Sequence, residues 1–280
     1  MLSALERLME QAAEWSVTIS ETRETETSLL GFGECNGARV VLKVSKHEGD
    51  EWHSGNVLEA FRGDATVRVY QSDAGAVLLE RLDPATELAP LVRGGRDEDA
   101  TLILAQVISA MRNHEPPAHC PTVFDWARGF DRYIRLAGER GVPLALAKEA
   151  AQLYLSLAAS QKRTMLLHGD LHHYNVLFDT NRGWVAIDPK GVVGELEYEL
   201  GAIIRNPIEL PDLFLSRSII ERRLHSLTTA LKLDYQRSLG WSFAQAVLSA
   251  IWDIEDGLEM HSEHSSLRLA QVIREMRQEI

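Results

Sequence analysis

Apolar residues recur at helical spacing through the first fifteen positions, at Leu2, Leu5, Leu8, Met9, Ala12 and Ala13. Ser3 and Glu6 stand three apart at the start of this run. That is the capping-box arrangement, in which hydroxyl and carboxylate satisfy each other's main-chain N–H groups. The pattern then changes to β-rich runs at 27–35 and 38–45, joined by Asn36-Gly37. Both residues of that dipeptide tolerate positive φ, so it closes two-residue hairpins. A short helix is predicted over 49–61. Two further strands are predicted at 66–70 and 76–82, around Asp73-Ala74-Gly75. Residues 1–82 therefore read as a small sheet crossed by one helix.

After Asp83-Pro84 the periodicity becomes helical, over 97–112 and 143–161. Two short β-like runs, 175–178 and 184–188, interrupt it around the turn Asn181-Arg182-Gly183. From 218 to 280 the pattern is helical again, with Leu267, Leu269, Val272, Ile273 and Met276 on one face. The expected fold class is α+β, with a β-rich unit at 1–82 and a larger, mostly helical unit at 83–280. A length of 280 residues suits this division at roughly 150 residues per domain.

Composition narrows the function. With 45% hydrophobic and 25% charged residues the chain is ordinarily globular, which excludes wholesale disorder. The 29 basic and 41 acidic residues give a net charge of −12, a poor footprint for nucleic acid and one that favours cationic small molecules. Cys35 and Cys120 form no metal or disulfide pattern. The amphipathic start is not a signal peptide, and no run reaches the ~18–20 apolar residues that span a bilayer. A soluble, cytoplasmic chain with no membrane partner is expected. Its oligomeric state is open, and a monomer would be competent.

The candidate chemistry lies in Leu167-His168-Gly169-Asp170-Leu171-His172-His173-Tyr174-Asn175-Val176-Leu177-Phe178 and in Ile187-Asp188-Pro189-Lys190-Gly191. A carboxylate and an amide stand five residues apart across a tight loop, and a second carboxylate ends the paired strand of a hairpin. Folding that hairpin brings Asn175 and Asp188 together as two hard oxygen donors suited to Mg2+, with Asp170 nearby as a base or orienting group. Transfer of a phosphoryl group from a Mg-nucleotide needs this set, because it is catalysed mainly by positioning and charge neutralisation. His168, His172 and His173 offer no complete zinc set, and loop histidines more often serve as hydrogen-bonding partners.

These two segments resemble the catalytic and metal-binding segments of the aminoglycoside phosphotransferases. The resemblance is closest to the streptomycin 6-phosphotransferase/hydroxyurea kinase branch, whose HGDLHHxN and IDPxGxxGE motifs stand here at 168–175 and 187–195. It implies a protein-kinase-like two-lobe fold with a small β-rich N-terminal lobe and a helical C-terminal lobe. It also implies Asp170 as the base for the acceptor hydroxyl, Asn175 and Asp188 as Mg2+ ligands, and His168 as a brace of the loop. In such a lobe Lys43, on the apolar strand Val40-Val41-Leu42-Lys43-Val44, would contact the ATP phosphates and pair with a helix glutamate. Outside that context it could be a simple edge-strand charge. Glu51 is the expected partner and Glu59 its rival. The main chain at Glu80 and Leu82 would bind adenine. There is no GxGxxG in the first hairpin, although Gly31 and Gly33 are present, so Thr27 and Ser28 are the candidate phosphate donors. The absence of HRD and APE segments favours a small-molecule kinase over a protein kinase.

For the acceptor, Glu195, Glu197 and Glu199 fall on one side if extended, but not if helical. The resemblance gives an acidic residue at the place of Glu199 a supporting role beneath the catalytic loop. Asp253 and Asp256, with Glu255, stand beside Trp252 and could hold a guanidinium or ammonium group that stacks on the ring. Glu195, Glu199, Asp253 and Asp256 are therefore the candidate acceptor ligands. The expected activity is ATP- and Mg2+-dependent phosphorylation of a cationic small molecule such as streptomycin. A metabolic kinase of an amino sugar or amino alcohol, a nucleotide-binding pseudokinase and a zinc hydrolase are the other readings.

Overall fold

The first helix, α1 (Ala4–Glu14), starts on the capping box that its sequence predicts: the Ser3 N–H donates to Glu6 Oε2 at 2.7 Å and the Glu6 N–H to Ser3 Oγ at 3.2 Å. A five-stranded antiparallel sheet follows, built from β1 (Thr18–Glu24), β2 (Ser28–Cys35), β3 (Ala38–Ser45), β4 (Val69–Asp73) and β5 (Ala76–Glu80) in the order β1-β2-β3-β5-β4. The computed structural model describes residues 3–49, 52–118, 120–136, 141–258 and 264–279.

Asn36 and Gly37 both adopt positive φ, 49° and 78°, and close β2 onto β3 with Cys35 opposite Ala38. The edge strand β1 is nearly all exposed and lacks the alternation that would reveal it. Helix α2 (Ser54–Phe61) is shorter than the pattern over 49–61 suggests. β4 takes in Asp73, so the turn narrows to Ala74 and Gly75.

Alternation along β3 divides this sheet. Val40, Leu42 and Val44 join Leu8, Ala12, Ala76 and Leu78 in a small core under α1. Lys43, one step out of phase, points to the other face, as the period-two geometry of a strand requires. The lysine on this apolar strand is therefore aimed into the space between the sheet and the rest of the chain.

The chain then passes through β6 (Pro84–Glu87), α3 (Ala89–Arg93), α4 (Asp97–Ala110), α5 (Val123–Trp126), α6 (Arg128–Leu136) and α7 (Leu144–Ala159). Four short strands carry the motifs: β7 (Met165–Leu167), β8 (Val176–Asp179), β9 (Gly183–Ala186) and β10 (Val192–Gly194). β8 pairs with β9 and β6, and β7 with β10. The helices α8 (Leu196–Ile204), α9 (Pro211–Phe214), α10 (Arg217–Leu231), α11 (Tyr235–Glu255) and α12 (Ser265–Gln278) complete the fold. The long pattern over 218–280 is thus broken into three helices.

The large core forms around α11, whose residues from Ser238 to Leu248 are all buried. Trp241, fully buried, meets Tyr154 and Tyr198 edge-on at centroid distances of 4.9 and 5.0 Å. Such aromatic contacts add to the burial of their own large apolar area. This block is the base from which β7, β10 and α8 present the segment 168–175.

Candidate active site

Residues 168–170 form a tight turn held from below by α8. Glu199 accepts the main-chain N–H of His168 at 2.8 Å and of Gly169 at 3.1 Å. Burial pushes the Glu199 carboxyl up to about 7, against the hydrogen bonds from the main chain of His168, Leu171 and Gly169. Gly169 has φ +81°, and a Cβ there would lie 2.8 Å from the Trp126 ring, so both conformation and space demand glycine. His168 is fully buried. Its Nε2–H donates to Ile187 O at 2.8 Å while Nδ1 accepts from the Asp170 N–H at 3.3 Å, which fixes one neutral tautomer. Burial lowers its pKa to about 4. His168 thus joins the turn carrying Asp170 to the strand leading to Asp188.

The segments that carry the three polar groups are tied together. Asn175 Nδ2 donates to Asp170 O at 2.9 Å, and its main-chain carbonyl accepts from the Ile187 N–H at 2.9 Å. Asp188 follows with φ 58°, a left-handed backbone that few non-glycine residues adopt. Its Oδ1 forms an ion pair with Lys43 Nζ, which joins the N-terminal sheet to the catalytic hairpin. Asp170 Oδ1 pairs with Arg205 Nη2 at 3.0 Å, and His172 Nε2 lies 3.7 Å from Oδ2. Burial would raise the Asp170 carboxyl, but His172, Arg205 and His168 outweigh it and hold it well below the usual carboxylate range.

Two tryptophan rings stand beside this turn. Trp126 contacts Gly169 and meets Trp252 edge-on at 5.6 Å. The next residue, Asp253, is half-buried, with His264 Nε2 3.2 Å from Oδ2. Burial raises its pKa, and the charges of His264 and Arg205 oppose that rise.

The model of the family described as "Aminoglycoside/hydroxyurea antibiotic resistance kinase" matches residues 14–257. The chain belongs to this kinase family. It is 37% identical over 225 residues to a streptomycin 3''-kinase of Klebsiella pneumoniae, covering 78% of this chain and 81% of that one. It is 30% identical over 244 residues to a streptomycin 6-kinase of Streptomyces griseus, covering 80% and 73%. Among solved structures, a choline kinase from Streptococcus pneumoniae superposes with a TM-score of 0.65 at 14% identity over 99% of this chain and 100% of that one. The aminoglycoside phosphotransferase APH(4)-Ia does so with a TM-score of 0.64 at 15% identity over 97% and 98%. The fold is therefore protein-kinase-like, and the chain is a phosphotransferase with an alcohol group as acceptor, of the antibiotic-resistance class. Among the described residues no helix is long and apolar enough to cross a membrane.

Within this kinase, the other residues singled out from the sequence lie as follows. Glu51 is outside the described residues. Glu59 accepts a hydrogen bond from the Ser72 hydroxyl. Thr27 is exposed in the turn that joins β1 to β2, and Ser28, fully buried, is the first residue of β2. The Glu80 carboxylate binds Arg182 and, at 2.8 Å, the Arg68 N–H. Leu82 packs with Leu58, Val67 and Val185.

The acceptor candidates separate. The segment after Glu195 is helical, so Glu195, Glu197 and Glu199 do not share a face. Glu195 sits at the Met165 end of the β7–β10 ribbon, whereas Asp170 follows the Leu167 end. It is buried and held by Arg237 and the Trp241 indole. A cavity of about 650 Å³ opens at that end, lined by Arg112, Lys162, Arg163, Glu195, Glu197 and Arg237. Glu199 lies beneath the loop. Asp253 alone of the four is both near Arg205 and half-buried; Asp256 is exposed at the end of α11. Trp126 and Arg205 were not legible in the sequence, because tertiary packing alone brings them to Asp170.

Proposed function

We propose that this kinase transfers the γ-phosphate of ATP to a hydroxyl of a cationic aminocyclitol antibiotic, streptomycin being the foremost candidate. The observation that supports this reading is that the Lys43–Asp188 ion pair and the Asn175–Asp170 hydrogen bond meet at one turn, beside two tryptophans and with Arg205 linking Asp170 electrostatically to Asp253. The streptomycin kinases among its relatives support the acceptor class. Residues 1–82 would bind nucleotide and residues 83–280 would carry the catalytic loop and acceptor site.

Asn175 and Asp188 fit a divalent cation. The Asn175 amide nitrogen is engaged by Asp170 O, which turns the amide oxygen to the other side, and Asp188 supplies a carboxylate. Both are hard oxygen donors of the kind that Mg2+ takes. When bound there, Mg2+ would neutralise phosphate charge. Lys43 would hold phosphate oxygens, and the main chain at Glu80 and Leu82 would receive the adenine. Thr27 and Ser28 remain candidate donors to the phosphates.

The acceptor hydroxyl approaches Asp170 through the carboxylate oxygen that Arg205 does not hold. Its oxygen forms a bond to the γ-phosphorus as the bond from that phosphorus to the β–γ bridging oxygen breaks. ADP leaves with the bridging oxygen, and the hydroxyl proton passes to Asp170. The ionised state of Asp170 suits a late proton transfer, in which orientation matters more than basicity. Glu199 and His168 keep the loop fixed throughout. Asp253 would pair with a cationic group of the acceptor while Trp252 covers it.

The test is a coupled ADP-release assay with streptomycin, other aminocyclitols and hydroxyurea. Release stimulated by streptomycin, with NMR of the product showing whether the 3'' or the 6 hydroxyl carries phosphate, is the expected result. Stimulation by hydroxyurea alone would reassign the acceptor. No stimulation by any of them, in enzyme that binds ATP, would refute the reading.

A further inference from the structure

The end of α8 is fixed by a buried guanidinium. Arg223, on α10, is 1% exposed, and its Nη1 donates to Asn206 O at 2.7 Å and to Ile203 O at 3.3 Å. Its other edge faces Asp97 on α4, with Nε 3.0 Å from Oδ1. Arg222 adds a donor to Asp97 Oδ2 at 2.8 Å. Burial would raise the Asp97 carboxyl, but these two arginines hold it below its ordinary range. A buried carboxylate paired in this way is rigid, because separating the partners would strand a charge away from water. Residues 203–206 are therefore anchored from both α4 and α10.

Arg205 lies within that anchored span. Its side chain is 15% exposed, and Nη2 donates to Asp170 Oδ1 at 3.0 Å. Glu199, six residues earlier and about 9 Å along the helix, grips the main chain of the same turn. α8 thus holds the loop at its backbone with one residue and at its reactive side chain with another. The second carboxylate oxygen of Asp170 is left facing His172 at 3.7 Å.

We propose that Arg205 is a positioning residue for phosphoryl transfer. It ties one oxygen of Asp170, so that the other meets the acceptor hydroxyl in a single orientation, and the Asp97–Arg223 pair holds the helix end that carries it. This rests on the reading of Asp170 as the group that takes the hydroxyl proton. A carboxylate without this tie would turn about its two side-chain torsions, and few of its orientations would align with an in-line attack.

Four variants test the proposal, with ATP and streptomycin as substrates: Arg205→Met, Arg205→Lys, Asp170→Asn and the double variant Arg205→Met/Asp170→Asn. Loss of one charge-assisted hydrogen bond corresponds to a fall in kcat of about tenfold to a hundredfold in Arg205→Met. The KM for ATP should not change, and Arg205→Lys should recover part of the rate because it keeps the charge. In single-turnover measurements on the Asp170→Asn background, Arg205→Met should change the residual rate by less than about twofold. An arginine with only a structural role would lower both backgrounds alike, and that result overturns the proposal. So does an Arg205→Met enzyme as fast as the parent while Asp170→Asn is inactive, which leaves the reading of Asp170 intact. A fully active Asp170→Asn enzyme removes that reading and this proposal with it.

Discussion

Lowering the pH should destabilise the fold through His168. The imidazole is fully buried, its pKa falls from the ordinary 6.5 to about 4, and it gives one hydrogen bond to Ile187 and takes one from Asp170. Because the folded-state pKa lies below the unfolded one, the unfolded chain binds more protons between these two values. Stability is therefore complete above about pH 6.5 and falls as the pH drops towards 4. A shift from 6.5 to about 4, at about 1.4 kcal/mol per unit, gives a limiting loss of about 3 kcal/mol, of which about 2 has occurred by pH 5. His173 is buried too, and desolvation drives its pKa down in the same direction, so the wild-type loss exceeds this share. The His168→Gln variant isolates the effect, since an amide can still donate to Ile187 O but does not titrate in this range. Urea unfolding followed by tryptophan fluorescence, at half-unit steps from pH 7 to 5, should show wild-type stability falling towards that of the variant by about 2 kcal/mol. Parallel stability curves would refute the argument. In the folded enzyme His168 stays largely neutral down to about pH 5, so kcat should not fall through this residue until the pH approaches 4.

Replacing Asp170 by Ala should reduce turnover by several orders of magnitude and leave nucleotide binding near its parent value; calorimetry showing lost ATP affinity in a folded variant would contradict the assigned role. Asp188→Ala should abolish Mg2+-dependent ATP binding, since it removes both a metal ligand and the partner of Lys43, and an unchanged titration with and without Mg2+ counts against it. Gly169→Ala forces a left-handed backbone on a residue with a Cβ, at about 1–2 kcal/mol, and sets that Cβ 2.8 Å from the Trp126 ring. Its Tm should fall by several degrees and its kcat by more than about tenfold; parent-like kinetics would show that the turn tolerates displacement. Asp253→Asn should raise the KM for streptomycin by about tenfold or more with little change in kcat, because uniform binding is lost, whereas Asp256→Asn should stay within about twofold. The reverse ranking would move the acceptor's cation to the end of α11.

Local chemistry made much of this protein legible. Asn36-Gly37 can form few turns other than the one found, and its strands follow from it. Lys43 is recognisable because one charged residue inside an alternating apolar strand must face away from the core that its neighbours build. The candidate turn was legible because its groups lie close in sequence and the hairpin that joins them is short. Legibility stops where a residue's role depends on distant packing. The Arg205–Asp170 contact spans 35 positions, and nothing around Arg205 marks it. Trp126 sits in a four-residue helix with no periodicity to read. β1 is almost wholly polar, so only its pairing partner reveals it. The glutamates after Gly194 show the opposite difficulty. Their alternation over six residues suggests a strand, whereas Leu196, Leu200, Ile203 and Ile204 carry a helical period that covers the whole of α8.

The charge of the chain illustrates why composition locates a site poorly. A net −12 suggests an acidic pocket waiting for a cation, yet the carboxylates near the catalytic turn are already engaged. Asp188 is paired with Lys43, Asp170 with Arg205, and Glu199 with main-chain N–H groups. On the proposed reading such pairing is required, because one cleft would admit a triphosphate and a cationic acceptor together. Two unit charges 4 Å apart interact by about 4 kcal/mol at an effective dielectric constant of 20, so two bare carboxylates facing the phosphates would repel the donor as strongly as they attracted the acceptor. On the proposed reading Lys43 and Arg205 would offset that repulsion, and Asp253, whose Oδ2 lies 3.2 Å from His264 Nε2, would recognise the acceptor's charge. A single half-buried carboxylate beside an aromatic ring discriminates better than many solvated ones, because its field is screened less and its geometry is fixed. On this reading the acidic excess elsewhere on the surface would have no part in acceptor selection, and raising the salt concentration should weaken acceptor binding much less than Asp253→Asn does.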